Sequence, residues 1–130
     1  MSRMIFPNLP VEDLQATREF WGSLGFTFND DFSDDNAACL VLNDLCSVML
    51  LRSGFFHEFH KTQKHTGTEV LIAIGAESRE EVDDLCSKAA SAGATDVEKP
   101  EEQGPMYGGA FRDLDGHLWE VFWMDPSAMG

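Results

Sequence analysis

One carboxylate stands out by its surroundings, because Glu120 falls within the apolar run of residues 118–123. If this run is a strand, side-chain alternation puts Glu120 on one face with Leu118 and Phe122. A carboxylate in apolar surroundings costs several kcal/mol unless it is paired, protonated or bound to a metal, as an order of magnitude. The alternative is an acid on the solvent-facing side of a half-exposed sheet, and the strand alone favours neither interpretation.

A second set of reactive side chains lies in residues 52–68, where phenylalanines and histidines are interleaved. This segment is predicted to be a short helix or a mobile lid. His57 and His60 are three residues apart, so on a helix they share a face. A metal site from this pair is one interpretation; a surface loop that packs its phenylalanines onto the sheet is the other. His65 lies further along the same segment.

Composition limits the classes of partner. The 130 residues are 43% hydrophobic, which predicts one soluble, globular domain. No apolar run reaches the roughly 20 residues of a membrane span, and the N-terminus has no signal region, so a cytoplasmic protein is expected. The net charge of −14 opposes nucleic-acid binding and favours cationic ligands, although a merely well-solvated surface explains it equally. The three cysteines have no metal-like spacing and are expected to be reduced.

The elements that position these residues occur in one order, twice. The first copy is predicted as a strand at residues 4–9, a helix at 14–24 capped by Asp13 and ended by Gly25, and strands at 26–32, 36–42 and 46–51. The second is a strand at residues 69–74, a helix from a Ser78–Glu81 capping box to residue 92, a strand at 95–98, an acidic loop at 99–105, and a hairpin turning at 113–116.

This repetition predicts an α+β fold made of two βαβββ repeats, residues 1–54 and 69–130, joined by a connecting loop or lid at 55–68. Each repeat has a four-stranded sheet with a helix on one face. Two such sheets side by side predict a curled, cup-shaped mixed sheet with the helices outside. Its free face is then available for a ligand.

The repeat carries two local motifs that resemble a known superfamily. The first is Val-Glu-Asp-Leu at residues 11–14, leading to Phe-Trp at 20–21 and Leu-Gly-Phe at 24–26; the second is Asp-x-Asp-Gly-His-x-x-Glu at 113–120. Together they resemble the vicinal oxygen chelate superfamily, which includes glyoxalase I, extradiol dioxygenases, and fosfomycin- and bleomycin-resistance proteins. The resemblance covers nearly the whole chain. It is specific to the fold and much less so to any one activity.

The resemblance implies four metal-ligand positions, on the first and last strand of each repeat. In this chain they correspond to Phe6, Met49, Glu69 and Glu120, and Asn8 shares the face of Phe6. Phenylalanine cannot bind a metal and a lone amide is a poor substitute. Glu69 and Glu120 are therefore the predicted metal ligands, for either no metal or a weakly bound divalent ion.

The resemblance leaves two activities open. One is a small-molecule binder of the bleomycin-resistance kind, without the full metal site and with a cationic or aromatic ligand. Its cup is predicted to be lined by Phe6, Asn8, Met49, Leu71, Tyr107, Phe111 and Phe122. The alternative is a divalent-metal lyase or isomerase of the glyoxalase I type, in which Glu120 is catalytic. An extradiol dioxygenase is disfavoured, because histidines are absent at Phe6 and Glu69, and a structural module with no ligand is the remaining class. The resemblance also implies a homodimer, and His117 is expected to bond within its turn.

Overall fold

The computed structural model describes residues 3–63 and 67–128 and divides the chain into two compact units, Met1–Thr66 and Gly67–Gly130. The first unit contains β1 (Asn8–Val11), α1 (Leu14–Ser23), β2 (Thr27–Phe28), a 3-10 turn (Asp30–Phe32), β3 (Ala37–Val41), β4 (Ser47–Arg52) and α2 (Ser53–His60). The second contains β5 (Leu71–Gly75), α3 (Arg79–Ser91), β6 (Thr95–Gln103), β7 (Met106–Arg112), β8 (Leu118–Met124) and a 3-10 turn (Pro126–Ala128).

The two sheets have the same topology. Strand order is β1-β4-β3-β2 in the first unit and β5-β8-β7-β6 in the second. In each, the first strand runs parallel to the last, and the other neighbours are antiparallel. The parallel pair requires a crossover, which the helix supplies, and the antiparallel strands are joined by short turns. The predicted α+β fold with two βαβββ repeats is confirmed.

Helix α1 forms because its ends and its spacing agree. The Asp13 side chain accepts a hydrogen bond from the amide of Ala16, which satisfies a donor that the first turn leaves open. Thr17 and Trp21, four residues apart, are buried on its core face. Gly25 follows the helix at φ +96°, a conformation that side chains with a Cβ rarely adopt.

Helix α3 begins at the predicted serine. The Ser78 hydroxyl accepts a hydrogen bond from the amide of Glu81, and the Glu81 carboxylate accepts one from the amide of Glu77. The buried side of the helix packs on strands β6, β7 and β8; its members are Val82, Leu85, Cys86 and Ala89. The face of the sheet that receives them includes Phe111, Trp119 and Val121, which are at most 1% exposed.

Three predicted strand boundaries are wrong. β1 starts at Asn8, and before it only Ile5 forms an isolated bridge, with Cys46. β2 is two residues long, because the Asn29 side chain accepts from the amide of Asp31 and turns the chain into a 3-10 helix. β5 starts at Leu71, so Glu69 precedes the strand.

The largest error concerns residues 99–105, predicted as a loop. β6 continues to Gln103 as an edge strand paired with β7, although its Glu, Lys and Pro residues have low β propensity. The register shifts between Thr95 and Glu98 and again between Glu98 and Glu101. Such bulges at a sheet edge accommodate Pro100, which has no amide hydrogen to donate. Tertiary pairing with β7 therefore overrides local propensity.

Helix α2 resolves the two alternatives for residues 52–68 in favour of a helix at Ser53–His60, which contacts β1 and β4. It ends at Lys61, which adopts the left-handed conformation with φ +54°. No helix in the two described ranges has the length and apolar character needed to cross a membrane.

Candidate functional site

The sheet of the second unit has one face covered by α3 and one open face, and Glu120 stands on the open face. It is half-buried, whereas Trp119 and Val121 on either side of it along β8 are buried on the helix side. The residues aligned with Glu120 are Ala73 on β5 and Ala110 on β7. The predicted alternation along β8 is confirmed, and the neighbours of the carboxylate across the sheet are two methyl groups.

The open face around Glu120 consists of small residues and one aromatic ring. Phe122 lies on the same face, aligned with Gly75 and Gly108. A Cβ added to Gly75 would lie 3.6 Å from Cζ of Phe122, so the ring extends over this glycine. A Cβ on Gly108 would lie 2.9 Å from the Val121 carbonyl oxygen, closer than real Cβ contacts, and 3.2 Å from Cβ of Phe122, which is tight. The result is an apolar surface with a carboxylate and a phenyl ring.

Leu71 lies at one end of this surface. It is aligned with Leu118, two residues before Glu120 along β8, and it is 44% exposed. The predicted ligand-lining residues Leu71 and Phe122 are thus brought to the same open face as Glu120. Their role in ligand binding stays a prediction.

Arg112 lies at one edge of the open face and contacts three segments of the second unit. Its Nη1 donates hydrogen bonds to Oγ1 of Thr68 at 2.9 Å and to the carbonyl oxygen of Gly116 at 2.8 Å. Its Nε lies 3.4 Å from Oδ2 of Asp96. The guanidinium therefore links the segment before β5, the β7–β8 turn and the start of β6.

The β7–β8 turn, which precedes the strand of Glu120, is held by Asp113, which is 5% exposed. Oδ1 of Asp113 accepts hydrogen bonds from the amides of Asp115 at 2.9 Å and His117 at 3.0 Å, and Oδ2 accepts one from Nε1 of Trp119 at 2.9 Å. Gly116 takes φ +84°, as its place in the turn predicts. The backbone of His117 bonds within the turn as expected. The Asp-x-Asp-Gly spacing is typical of a side chain that bonds its own turn, whereas sequence reasoning missed the hydrogen bond from the Trp119 indole to Asp113.

The predicted metal ligands do not meet in the sheet ladder. Glu69 is exposed and precedes β5, and the residue aligned with Glu120 is Ala73. Within residues 3–63 and 67–128, no three His, Cys, Asp or Glu side chains are grouped as a metal site requires. At the remaining two positions stand a phenyl ring, Phe6, and a thioether, Met49. This donor set does not fit a tightly bound, four-ligand metal; a weak site of Glu69 and Glu120 stays a prediction.

Three predicted lining residues of the first unit do come together. Asn8 is aligned with Met49 across the β1–β4 ladder, and its Nδ2 donates to the carbonyl oxygen of Phe6 at 2.8 Å. The other amide atom, Oδ1, lies 3.2 Å from Nε2 of His60 on α2. The Asn8 amide therefore connects β1 to α2.

The histidines of this region have separate partners. Nδ1 of His57 lies 3.2 Å from Oγ1 of Thr62, while His60 reaches Asn8. The metal-site interpretation of the His57–His60 pair gains no support from these contacts. His65 lies outside the described residues.

Tyr107 and Phe111 do not share the open face with Glu120, and the prediction that they line the same surface is wrong. Alternation along β7 turns both toward α3, where Phe111 is fully buried opposite Trp119. The Tyr107 hydroxyl donates to Asp83 on α3, and this hydrogen bond raises the pKa of Tyr107 above its usual range.

Arg79 stabilises this helix-side cluster. Its guanidinium carbon lies 4.7 Å from the ring centre of Trp123 and 5.7 Å from that of Tyr107. Nη2 of Arg79 also forms a 2.7 Å ion pair with Glu102. Cation–π contacts of this kind stabilise exposed sites by roughly 0.5–1 kcal/mol. The rings of Tyr107 and Trp123 are thus already in contact with an arginine of the chain itself.

The cysteines are all free, as expected. Burial, together with the nearby Asp83 carboxylate, raises the pKa of the Cys86 thiol to about 11. Since the thiolate is the reactive form, Cys86 is a packing residue at neutral pH.

Known proteins match this chain in both sequence and fold. The family model of the Glyoxalase/Bleomycin resistance protein/Dioxygenase superfamily matches residues 4–121. The structure of hypothetical protein SA1046 from S. aureus is 30% identical, with a TM-score of 0.82, over 95% of this chain and 94% of that chain.

Two further structures share the fold at lower identity. A glyoxalase/bleomycin resistance protein/dioxygenase family enzyme from Burkholderia phytofirmans PsJN has a TM-score of 0.83 at 18% identity, over 95% and 99% of the two chains. TnmS3, an antibiotic binding protein from Streptomyces sp. CB03234, has a TM-score of 0.67 at 17% identity, over 95% and 97%. No curated protein matches significantly. From its family match, its 30% identical relative and its two βαβββ units, this chain belongs to the glyoxalase/bleomycin resistance protein/dioxygenase superfamily.

Proposed function

We propose that this protein binds a small molecule with an apolar body and a cationic group on the open face of the second unit, without a four-ligand metal centre. The observation that carries the proposal is the half-buried Glu120 carboxylate between Ala73 and Ala110, on a face where Phe122 supplies an aromatic surface. A ligand that covers the apolar surface also shields the carboxylate from water. The charge-assisted contact between the Glu120 carboxylate and the cationic group of the ligand becomes stronger as a result.

Three further points support this class of ligand. The net charge of −14 attracts cations to the surface before contact. The Phe122 ring offers its face for stacking or for a cation–π contact. TnmS3, which has the same fold, is an antibiotic binding protein, so this architecture is compatible with small-molecule binding.

The Glu120→Gln variant tests the proposal, because it removes the charge and keeps the shape. With 9-aminoacridine as an aromatic cation, we expect the variant to bind roughly tenfold more weakly, which corresponds to about 1.4 kcal/mol. With acridine at alkaline pH, a neutral ring of similar size, wild type and variant should bind equally. Fluorescence titration measures both affinities, and a thermal shift gives an independent readout.

A matched control is Glu69→Gln, which removes an exposed carboxylate outside β5 and should leave 9-aminoacridine affinity unchanged. Equal affinity of wild type and Glu120→Gln for the cation would contradict the proposal. So would the absence of any binding that depends on Glu120 across a panel of aromatic cations.

Metal content separates this function from the alternative, a divalent-metal lyase or isomerase of the glyoxalase I type that uses Glu69 and Glu120. We expect elemental analysis of the purified protein to find far less than one metal ion per chain, and chelation to leave the melting temperature unchanged. The reason is that one of the four ligand positions implied by the family resemblance carries a phenyl ring, which cannot bind a metal. Stoichiometric metal that is lost in Glu120→Ala would favour the lyase instead.

A further inference from the structure

The open face of the second unit carries a positive charge as well as the carboxylate of Glu120. Across the β7–β8 ladder, Arg112 is aligned with Leu118 and Ala110 is aligned with Glu120. Arg112 and Glu120 are therefore diagonal neighbours on one face of the sheet. In such a pair the two Cα atoms lie roughly 7–8 Å apart, within reach of long side chains.

The two charges nevertheless do not pair with each other. No ion pair in the described part of the chain joins Arg112 to Glu120. The contacts of Arg112 with Thr68, the Gly116 carbonyl oxygen and Asp96 use only Nη1 and Nε. Among the described residues, both N–H groups of its Nη2 lack an acceptor, and the Glu120 carboxylate lacks a donor. Both charged groups therefore have hydrogen-bonding capacity left for a ligand.

The guanidinium of Arg112 is held in place before a ligand arrives. Its three partners belong to three different segments of the second unit, and its side chain is 30% exposed. A group that is already ordered loses little conformational entropy on binding. The planar guanidinium matches the geometry of a carboxylate, and charge-assisted hydrogen bonds of this kind are strong. The Asp96 side chain is 77% exposed, so its ion pair with Arg112 competes only weakly.

Three successive rows of the open face carry three kinds of group. Phe122 presents an aromatic ring, Glu120 stands two residues before it along β8, and Arg112 is aligned with the residue two positions earlier still. Successive rows lie about 7 Å apart, because a strand rises about 3.4 Å per residue. An aromatic ring, an ammonium and a carboxylate on one short carbon skeleton fit this order.

We infer that the ligand of the open face is a zwitterion of the α-amino acid type, with its apolar side chain on Phe122, its ammonium at Glu120 and its carboxylate at Arg112. The inference rests on the function proposed above and adds an anionic group and the residue that recognises it. A simple anion is disfavoured, because the net charge of −14 repels it. A ligand with only a cationic group is repelled by Arg112 and leaves its free N–H groups without an acceptor.

Isothermal titration calorimetry with three matched compounds tests the inference. They are L-phenylalanine, phenethylamine, which lacks the carboxylate, and 3-phenylpropionate, which lacks the ammonium. Wild type should bind phenylalanine roughly tenfold more tightly than phenethylamine, and 3-phenylpropionate most weakly. Arg112→Gln should bind phenylalanine and phenethylamine equally, whereas Glu120→Gln should weaken the binding of both amines. Unchanged phenethylamine affinity in Arg112→Gln separates recognition of the carboxylate from a merely structural role.

Two control variants make this result specific. Lys88→Gln removes the same charge from the exposed side of α3, where Lys88 pairs with Asp84, and should keep the preference for phenylalanine. Asp96→Asn removes the carboxylate that competes for Arg112 and should increase that preference. Asparagine tolerates the left-handed backbone of this position, φ +47°.

The failure of this inference differs from the failure of the proposed function. Phenethylamine that binds through Glu120, with no preference for phenylalanine, would overturn the inference and leave the proposed function standing. An Arg112→Gln variant that weakens both amines equally would also overturn the inference, because Arg112 would then only hold the fold. If neither amine bound in a way that depends on Glu120, both would be overturned.

Discussion

Replacing Asp113 with alanine is expected to lower the free energy of unfolding by about 3–5 kcal/mol. The buried carboxylate accepts hydrogen bonds from the amides of Asp115 and His117 and from the Trp119 indole. Alanine removes the acceptor that these three donors share, and the Trp119 side chain is fully buried. Removing the partner of a buried hydrogen-bonding group costs about 1–3 kcal/mol. Urea denaturation followed by tryptophan fluorescence measures the loss.

Two variants make this result specific. Asp44→Ala removes the same charge from an exposed turn of the first unit and should change stability by less than about 0.5 kcal/mol. Asp113→Asn keeps an acceptor oxygen and replaces the other by a donor, so it should cost less than Asp113→Ala and more than Asp44→Ala. If Asp113→Ala were as stable as Asp44→Ala, the turn network would not hold the hairpin.

The second large effect is expected at Gly109, where β7 passes closely against β6 and α3. A Cβ at this position would lie 2.7 Å from the Glu98 carbonyl oxygen and 3.0 Å from Sγ of Cys86. The first of these is backbone in a paired strand, so it can move aside only by distorting the ladder. We expect Gly109→Ala to destabilise the protein by about 2 kcal/mol or more in the same urea experiment.

Gly22→Ala is the matched control for Gly109→Ala. Gly22 lies in α1 with no atom within 4 Å of the added Cβ, outside the helix's own backbone and the neighbouring residues. Alanine in a helix is favoured over glycine, so this variant should gain up to about 0.5–1 kcal/mol. The same glycine-to-alanine change should therefore destabilise the protein at position 109 and stabilise it at position 22. Equal effects at both positions would show that the close approach at Gly109 does not limit stability.

The features that sequence reasoning predicted correctly are encoded locally. Asp13 and Ser78 cap their helices through bonds to amides three residues away. Alternation along β8 follows from strand geometry, so the face of Glu120 was readable from its neighbours. The occurrence of these local features twice, in one order, indicated the βαβββ fold, and the resemblance of the motifs at residues 11–26 and 113–120 indicated the family.

The incorrect predictions concern strands and strand faces that depend on pairing between residues far apart in the chain. β6 is a strand because β7 pairs with it, not because residues 99–103 favour a strand. Tyr107 and Phe111 were predicted to line the surface around Glu120. Alternation places the two on the same face of β7, and the pairing with β8 puts that face on the helix side. Which face of β7 meets α3 depends on the β7–β8 register, and a one-residue shift would exchange the faces.

The sequence alone therefore determined the order of the elements and the face of the carboxylate at Glu120, because capping, turn formation and alternation act over a few residues. The tertiary structure decided what surrounds that carboxylate: Ala73 and Ala110 beside it, Glu69 outside the ladder, and an arginine on the aromatic pair of the other face. It also decided that Phe59 of α2 is exposed while Phe55 and Phe56 are half-buried. Strand register and packing join residues far apart in the chain, and no local pattern specifies which of them meet.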